Sequence, residues 1–367
     1  MNEEELIARI ALLEVNGIGA VHAKKIIETV GSAAKIFKEK KRNIAAIAGI
    51  GTVKSDAIIK FDNFKNAEKE LKFIESNNIE VLNFDEDNYP ESLKNCIDAP
   101  LLLFFKGNFS FKDRPKTISI VGTRNITEYG KKICEDFVAE IAQLQILIVS
   151  GLAYGVDVNA HKAALKNNLA TIGVLAHGLD TLYPSAHKNT AKEMIENGGL
   201  ISEYPSGTIA NKENFPSRNR IVAGMADALL VVETDIKGGS IISAEIAYSY
   251  NKDIFCVPGR IGDKYSSGCN KLIQDLKANL VTSGSEILKS MNWITSTKKQ
   301  KPQKQLFIEL SEDEKQIIAL FEEKNQLHID EIMSKTQFTS SRIAGAILNL
   351  EMQQVIAVLP GKLYQMV

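Results

Sequence analysis

Seven short apolar runs recur through the middle of the chain, at 118–121, 146–149, 171–175, 200–202, 228–232, 254–257 and 280–282. Stretches of helical length lie between most of them, at 129–144, 156–166, 240–250 and 271–276. Runs of three to five apolar residues are too short for buried helices, and their continuity predicts strands covered on both faces. Alternation with helices predicts an α/β fold built on a doubly wound parallel sheet. Two earlier runs, 81–84 and 101–105, predict an edge or linker strand pair, and the charged segment Lys112-Asp113-Arg114-Pro115-Lys116 reads as a boundary before the main alternation.

The flanks follow other patterns. Residues 1–75 read as helical, with the turn Gly17-Ile18-Gly19 leading into a helix at 20–30 and Gly49-Ile50-Gly51 into one at 52–61. Glycine permits the tight turn between two helices and lets backbone N–H groups approach a phosphate. Packing alone is the plainer use of such turns. Residues 296–305 are polar and basic and predict a flexible linker. Beyond it, Ser311-Glu312-Asp313-Glu314 has capping-box spacing. Helices near 312–321, 329–334 and 340–353, then a hairpin of 355–359 and 362–366 around Pro360-Gly361, give a winged-helix outline.

Composition narrows the partners. The 367 residues are 44% hydrophobic, enough for two or three domains with real cores, and the net charge is -1. Any nucleic-acid site is therefore a local patch on a neutral body. The N-terminal 72 residues carry 13 Lys and Arg against 10 Asp and Glu. Residues 306–367 carry 5 against 9, and the third helix there has Arg342 as its one cation. A recognition helix needs more donors than that, so the tail is expected to contact protein or to pack. Cys96, Cys134, Cys256 and Cys269 are scattered, which fits a reducing compartment and gives no zinc site. The acidic start, Met1-Asn2-Glu3-Glu4-Glu5, is no signal peptide, and no apolar stretch reaches the length of about 18 residues that a membrane span needs. A cytoplasmic protein is expected.

Candidate chemistry collects after the strands, where ligands of open α/β sheets bind. The first strand is followed by Gly122-Thr123-Arg124, the second by Ser150-Gly151-Leu152-Ala153-Tyr154-Gly155-Val156-Asp157 and then His161. The third is followed by His177-Gly178-Leu179-Asp180, Tyr183-Pro184 and Lys188, and the fourth by Glu203-Tyr204-Pro205. The run Asn214-Phe215-Pro216-Ser217-Arg218-Asn219-Arg220 leads into the fifth strand, which ends at Glu233 and the turn Lys237-Gly238-Gly239-Ser240. An aromatic face stacks on a base, guanidinium groups fork onto phosphate oxygens, and free N–H groups at a helix start favour anions. Together they suit a phosphate backbone with exposed bases, which is single-stranded nucleic acid. Two surface arginines beside an ordinary turn are the plainer alternative. Arg220 has a second possible place, turned inward against the strand-end carboxylates. No Gly-x-Gly-x-x-Gly follows the first strand and no Walker A lysine is present, so neither a nicotinamide dinucleotide nor an ordinary ATPase is expected. No cofactor or metal is expected.

Six segments in order, Ile120-Val121-Gly122-Thr123-Arg124, Ser150 to Asp157, Gly178-Leu179-Asp180, Ser202-Glu203-Tyr204-Pro205, Phe215 to Arg220 and Val257-Pro258-Gly259, resemble the DNA-processing protein A family, also called DprA or Smf. The resemblance implies an N-terminal helical SAM-like (helix-hairpin-helix) domain at 1–80 and an extended Rossmann-like domain at 81–295. The linker at 296–305 and a winged-helix domain at 306–367 complete it. It also implies binding of single-stranded DNA in natural transformation, protection of the incoming strand, loading of the RecA recombinase, and a homodimer through the Rossmann-like domain. Carried over by motif, the DNA pocket comprises Arg124, Lys212, Phe215, Arg218, Arg220 and Gly238-Gly239-Ser240, with Lys188 a further cation. A competing pattern is Gly238-Gly239 with Ser243-Ala244-Glu245, which has the spacing of the phosphoribohydrolase motif Gly-Gly-x-Gly-Thr-x-x-Glu. Ile242-Ser243 stands where that motif has Gly-Thr, which weakens a nucleotide-cleaving reading. A nucleotide sensor on the same fold is the third possibility.

Overall fold

The computed structural model describes residues 1–294, 310–321, 324, 326–353, 355–359 and 361–366, so the linker expected at 296–305 lies outside the described residues. The chain divides into two compact units, Met1–Thr295 and Ser296–Val367.

The first unit is built on a nine-stranded sheet. In chain order its strands are β1 (Glu80–Asn83), β2 (Leu102–Gly107), β3 (Thr117–Val121), β4 (Leu147–Ser150) and β5 (Thr171–Leu175). They continue with β6 (Gly198–Ser202), β7 (Ala228–Val231), β8 (Asp253–Cys256) and β9 (Asn279–Leu280). The spatial order is β1-β2-β6-β5-β4-β3-β7-β8-β9, parallel from β6 to β9. All seven apolar runs of the α/β region become strands, shifted by no more than two residues at either end. β1 and β2, expected as an edge or linker pair, join the main sheet, because β2 pairs antiparallel with β6. The order runs outward on both sides of β3, with β4 on one side and β7 on the other, which makes the β3–β7 boundary a topological switch point.

Side-chain alternation along β3 explains the layers. Ile118 and Ile120 face a core shared with the helices Glu128–Ile141 and Val156–Lys166, while Val121 faces a core shared with Asn214–Met225 and Gly239–Ser249. The N-terminal helices enclose a third core, which reaches Leu102 and Phe104 on one face of β2.

His161 lies in the first of these layers with no exposed surface. The Thr171 hydroxyl donates to the Ile148 carbonyl (3.0 Å), so the His161 Nδ1–H donates to Thr171 Oγ1 at 2.7 Å and leaves Nε2 without a partner. Burial holds its pKa down to about 3. Below pH 6.5 the unfolded chain binds a proton that the folded chain refuses, so this stability is lost as pH falls from about 6.5 toward 3. Between pH 6.5 and 5 the protein is expected to lose about 2 kcal/mol more than His161→Leu does. Denaturant titrations at the two pH values test this, and equal losses would refute it.

The second unit contains helices Glu312–Leu320, Ile329–Thr336 and Ser340–Met352 with a three-stranded sheet of β10 (Gln326–His328), β11 (Ile356–Leu359) and β12 (Leu363–Met366). Ser311 and Glu314 form the expected capping box. β10 was not legible in the pattern because it is three residues long. Arg342, the cation of the third helix, forks onto Asp313 through two bonds of 2.5 Å, so its charge is neutralised within the unit.

Candidate nucleic-acid interface

Three loops meet beyond the carboxyl ends of β3, β4 and β7, at the switch point. They are cross-tied by main chain. Thr123 N–H donates to Glu233 O (2.7 Å), and Val156 N–H donates to Thr123 O (3.1 Å). The buried Glu233 carboxylate accepts from Thr127 N–H (2.9 Å) and the Thr127 hydroxyl (2.5 Å), and Thr127 in turn caps the helix Glu128–Ile141. Gly155 has φ +78°, and a side chain there would run into Thr123 O. Glycine at this position lets the β4 loop lie against the β3 loop.

The run from Asn214 to Met225 forms a helix. Pro216 is its third residue, in the turn whose N–H groups have no intrahelical partner, so proline costs no hydrogen bond there. This winding sends its two arginines to different places. Arg218 is 3% exposed and points under the β4 loop, with Nη1 donating to Val174 O and Nε left unpartnered. A Cβ on Gly151 would strike its guanidinium, so glycine is what lets the arginine in. Burial lowers the Arg218 pKa, and buried Asp157 supplies the opposing charge. Burial raises Asp157, against Arg218 and the Ala153 N–H at 3.3 Å. Arg220 donates through Nη1 to Asp98 O (2.7 Å) and through Nη2 to both oxygens of Glu203 (2.5 Å), so both terminal nitrogens are engaged.

A cleft of about 370 Å³ opens between these loops. Arg124, Phe215, Arg218, Gly238, Gly239 and Ser240 all line it. The Arg124 guanidinium carbon stands 5.2 Å from the centre of the Phe215 ring. Gly238 starts the helix Gly239–Ser249 with no side-chain cap, leaving its first N–H groups directed at the cleft end. A Cβ on Gly238 would strike Thr234, whereas one on Gly239 would meet nothing. The Ser240 hydroxyl is turned inward and donates to Thr234 Oγ1 at 2.7 Å. Lys188 and Lys212 are exposed and do not line the cleft, and neither does Arg220. Lys237 and Lys264 do line it, in addition to the residues expected in the pocket. Lys237 had a signal, its place directly before the glycine turn. Lys264 had none, since it arrives from a loop after β8.

Glu245, the candidate acid of the phosphoribohydrolase pattern, lies on the exposed face of its helix and is bonded through both oxygens to Lys277, at 2.7 and 2.9 Å. It does not reach the cleft.

A family model described as DNA recombination-mediator protein A matches residues 80–292, more than half of the chain. The chain belongs to this family. The DprA winged helix domain matches residues 301–362. DNA processing protein DprA of Streptococcus pneumoniae is 41% identical over 203 residues, covering 55% of this chain and 71% of that protein. The X-ray structure of DNA processing protein A from Streptococcus pneumoniae superposes with a TM-score of 0.67 at 33% identity, covering 79% of this chain and 98% of that one. A DNA processing protein A structure from Helicobacter pylori, described for its single-stranded DNA binding mode, has a TM-score of 0.53 at 30% identity and covers 59% and 96%. The DprA-family fold anticipated from six sequence segments is therefore the fold of this chain. No helix among the described residues is long and apolar enough to cross a membrane.

Proposed function

We propose that this protein binds single-stranded DNA without sequence preference in natural transformation, shielding the incoming strand and passing it to RecA. The observation that carries the reading is the Arg124–Phe215 pair facing an uncapped helix start across the switch-point cleft. A cation, a ring and oriented N–H groups bind phosphate and base together without reading base edges. Lys237 and Lys264 add charge in the cleft, while Lys188 and Lys212 stand exposed outside its lining. RecA loading and a homodimer through the α/β unit rest on family membership. The reading is non-enzymatic, in keeping with the place of Glu245.

The test is a titration of fluorescent oligo-dT against duplex of equal length. Tighter binding to the single strand is expected, with affinity falling steeply with salt. Equal or tighter binding to blunt duplex would reject the reading.

The acidic second unit, with Arg342 neutralised, is assigned a protein contact. Truncation near residue 300 is expected to keep the melting temperature of the first unit and most single-strand affinity. A tenfold loss of affinity in a folded truncation would place DNA contacts in the tail.

A further inference from the structure

The cleft is not uniform. On the side of the β7 loop its wall carries Lys237, Lys264 and the helix start at Gly238-Gly239, with half-buried Asp235 4.0 Å from the Lys264 ammonium. On the opposite side a crevice continues past Arg124 and Phe215 and is bordered by Tyr154 and Tyr183. Cations do not line that crevice beyond Arg124 and Arg218. Aromatic surface does. Tyr154 and Tyr183 are 49% and 52% exposed, large values for rings held on ordered loops. Each is braced edge-on by another ring: Tyr183 against Phe215 at 6.2 Å and Tyr154 against His187 at 5.0 Å. His187 is itself fixed by a 2.9 Å bond from its ring nitrogen to Leu152 O. An edge-to-face pair covers at most one face of a tyrosine and leaves the other for stacking. The crevice between the rings is narrow, about 20 Å³, room for about one water and too little for a base to be enclosed.

We propose that the Arg124–Phe215 pair divides the site into two walls, with Tyr154, Tyr183 and Phe215 forming a base-stacking wall. Strand phosphates run along the opposite wall at Lys237, Lys264 and Gly238-Gly239. The ligand is a single strand crossing with consecutive bases turned to one side, and its orientation is fixed by this division. The inference rests on the single-strand reading above and adds Tyr154 and Tyr183 to it.

The experiment compares oligo-dT with an abasic oligonucleotide of the same length and charge. Wild type, the double variant Tyr154→Leu/Tyr183→Leu, the matching double Phe variant, and Lys237→Ala are each titrated at several salt concentrations. Base stacking on aromatic side chains predicts a tenfold or larger loss of dT affinity in the Leu variant. Abasic affinity and salt slope are expected to stay within twofold of wild type, and the Phe variant to bind dT normally. Lys237→Ala is expected to weaken both ligands and to make the salt slope shallower. Equal losses on dT and abasic strands in the Leu variant, or undiminished dT binding, would overturn the two-wall assignment while leaving single-strand binding standing. If wild type binds neither strand, the single-strand reading falls, and this assignment falls with it. Melting temperatures check folding. If the Leu variant melts early, the Phe variant decides: dT binding lost although both rings are kept would overturn the assignment.

Discussion

Arg220→Ala is expected to cost about 3–5 kcal/mol of stability, the usual range for removing one partner of a buried ion pair. Both side chains are largely enclosed, 16% and 19% exposed, and one guanidinium nitrogen, Nη2, donates to both carboxylate oxygens at 2.5 Å. The variant strands the Glu203 carboxylate and takes the donor from Asp98 O. Burial already raises the Glu203 pKa, with Arg220 the main opposing influence. Without Arg220 it rises further, so the folded variant holds a proton that the unfolded chain releases above the ordinary carboxylate pKa. The variant's deficit is therefore smallest in acid and grows as pH rises past the already raised Glu203 pKa of the native protein. Glu203→Gln combined with Arg220→Met should recover part of the loss, since no charge is then left buried alone. Denaturant titration at pH 4 and pH 7 tests this. A deficit below 1 kcal/mol at pH 7 would show that the pair is not structural.

Arg124→Ala is expected to leave folding intact and to weaken single-strand binding by about 1–3 kcal/mol, the range for a charge-assisted hydrogen bond. Arg124 is exposed on the β3 loop and stands over the Phe215 ring. The salt slope should become shallower by roughly 0.7, the value for one phosphate contact on a single strand. Arg218→Ala differs in kind. It leaves Asp157 buried without its counter-charge and opens the space under Gly151, so lost affinity should come with lost stability. Isothermal titration together with melting curves separates the two variants. Unchanged affinity and slope in folded Arg124→Ala would move the site elsewhere.

The sequence carried the parallel strands and the winged-helix outline because their apolar periods are strong and local. It also pointed to residues that line the candidate cleft: Arg124 and the Gly238-Gly239 turn follow strands, and Phe215 and Arg218 lie on the helix between β6 and β7. What was hidden depends on contacts remote in sequence. Arg218 and Arg220 sit two residues apart; the strand-end carboxylates offer Arg220 an inward place, which Glu203 fills, while nothing local marks Arg218 for burial. Helical winding around Pro216, which the pattern did not reveal, sends one beneath Gly151 and the other to Glu203. The attachment of β1 and β2 to the main sheet is a pairing with β6, about 100 residues onward, and no local period reports it. Lys264 reaches the cleft from beyond β8 for the same reason.

The cross-ties among the three cleft loops have a consequence for how binding entropy is distributed. Thr123, Thr127, Val156 and Glu233 hold the loops by hydrogen bonds that need no ligand. In a complex with a single strand, the protein has little freedom left to lose, and the ordering falls on the DNA. Strand flexibility then becomes a determinant of affinity in its own right, with stiff, self-stacked strands and limp ones distinguished by how much motion each gives up.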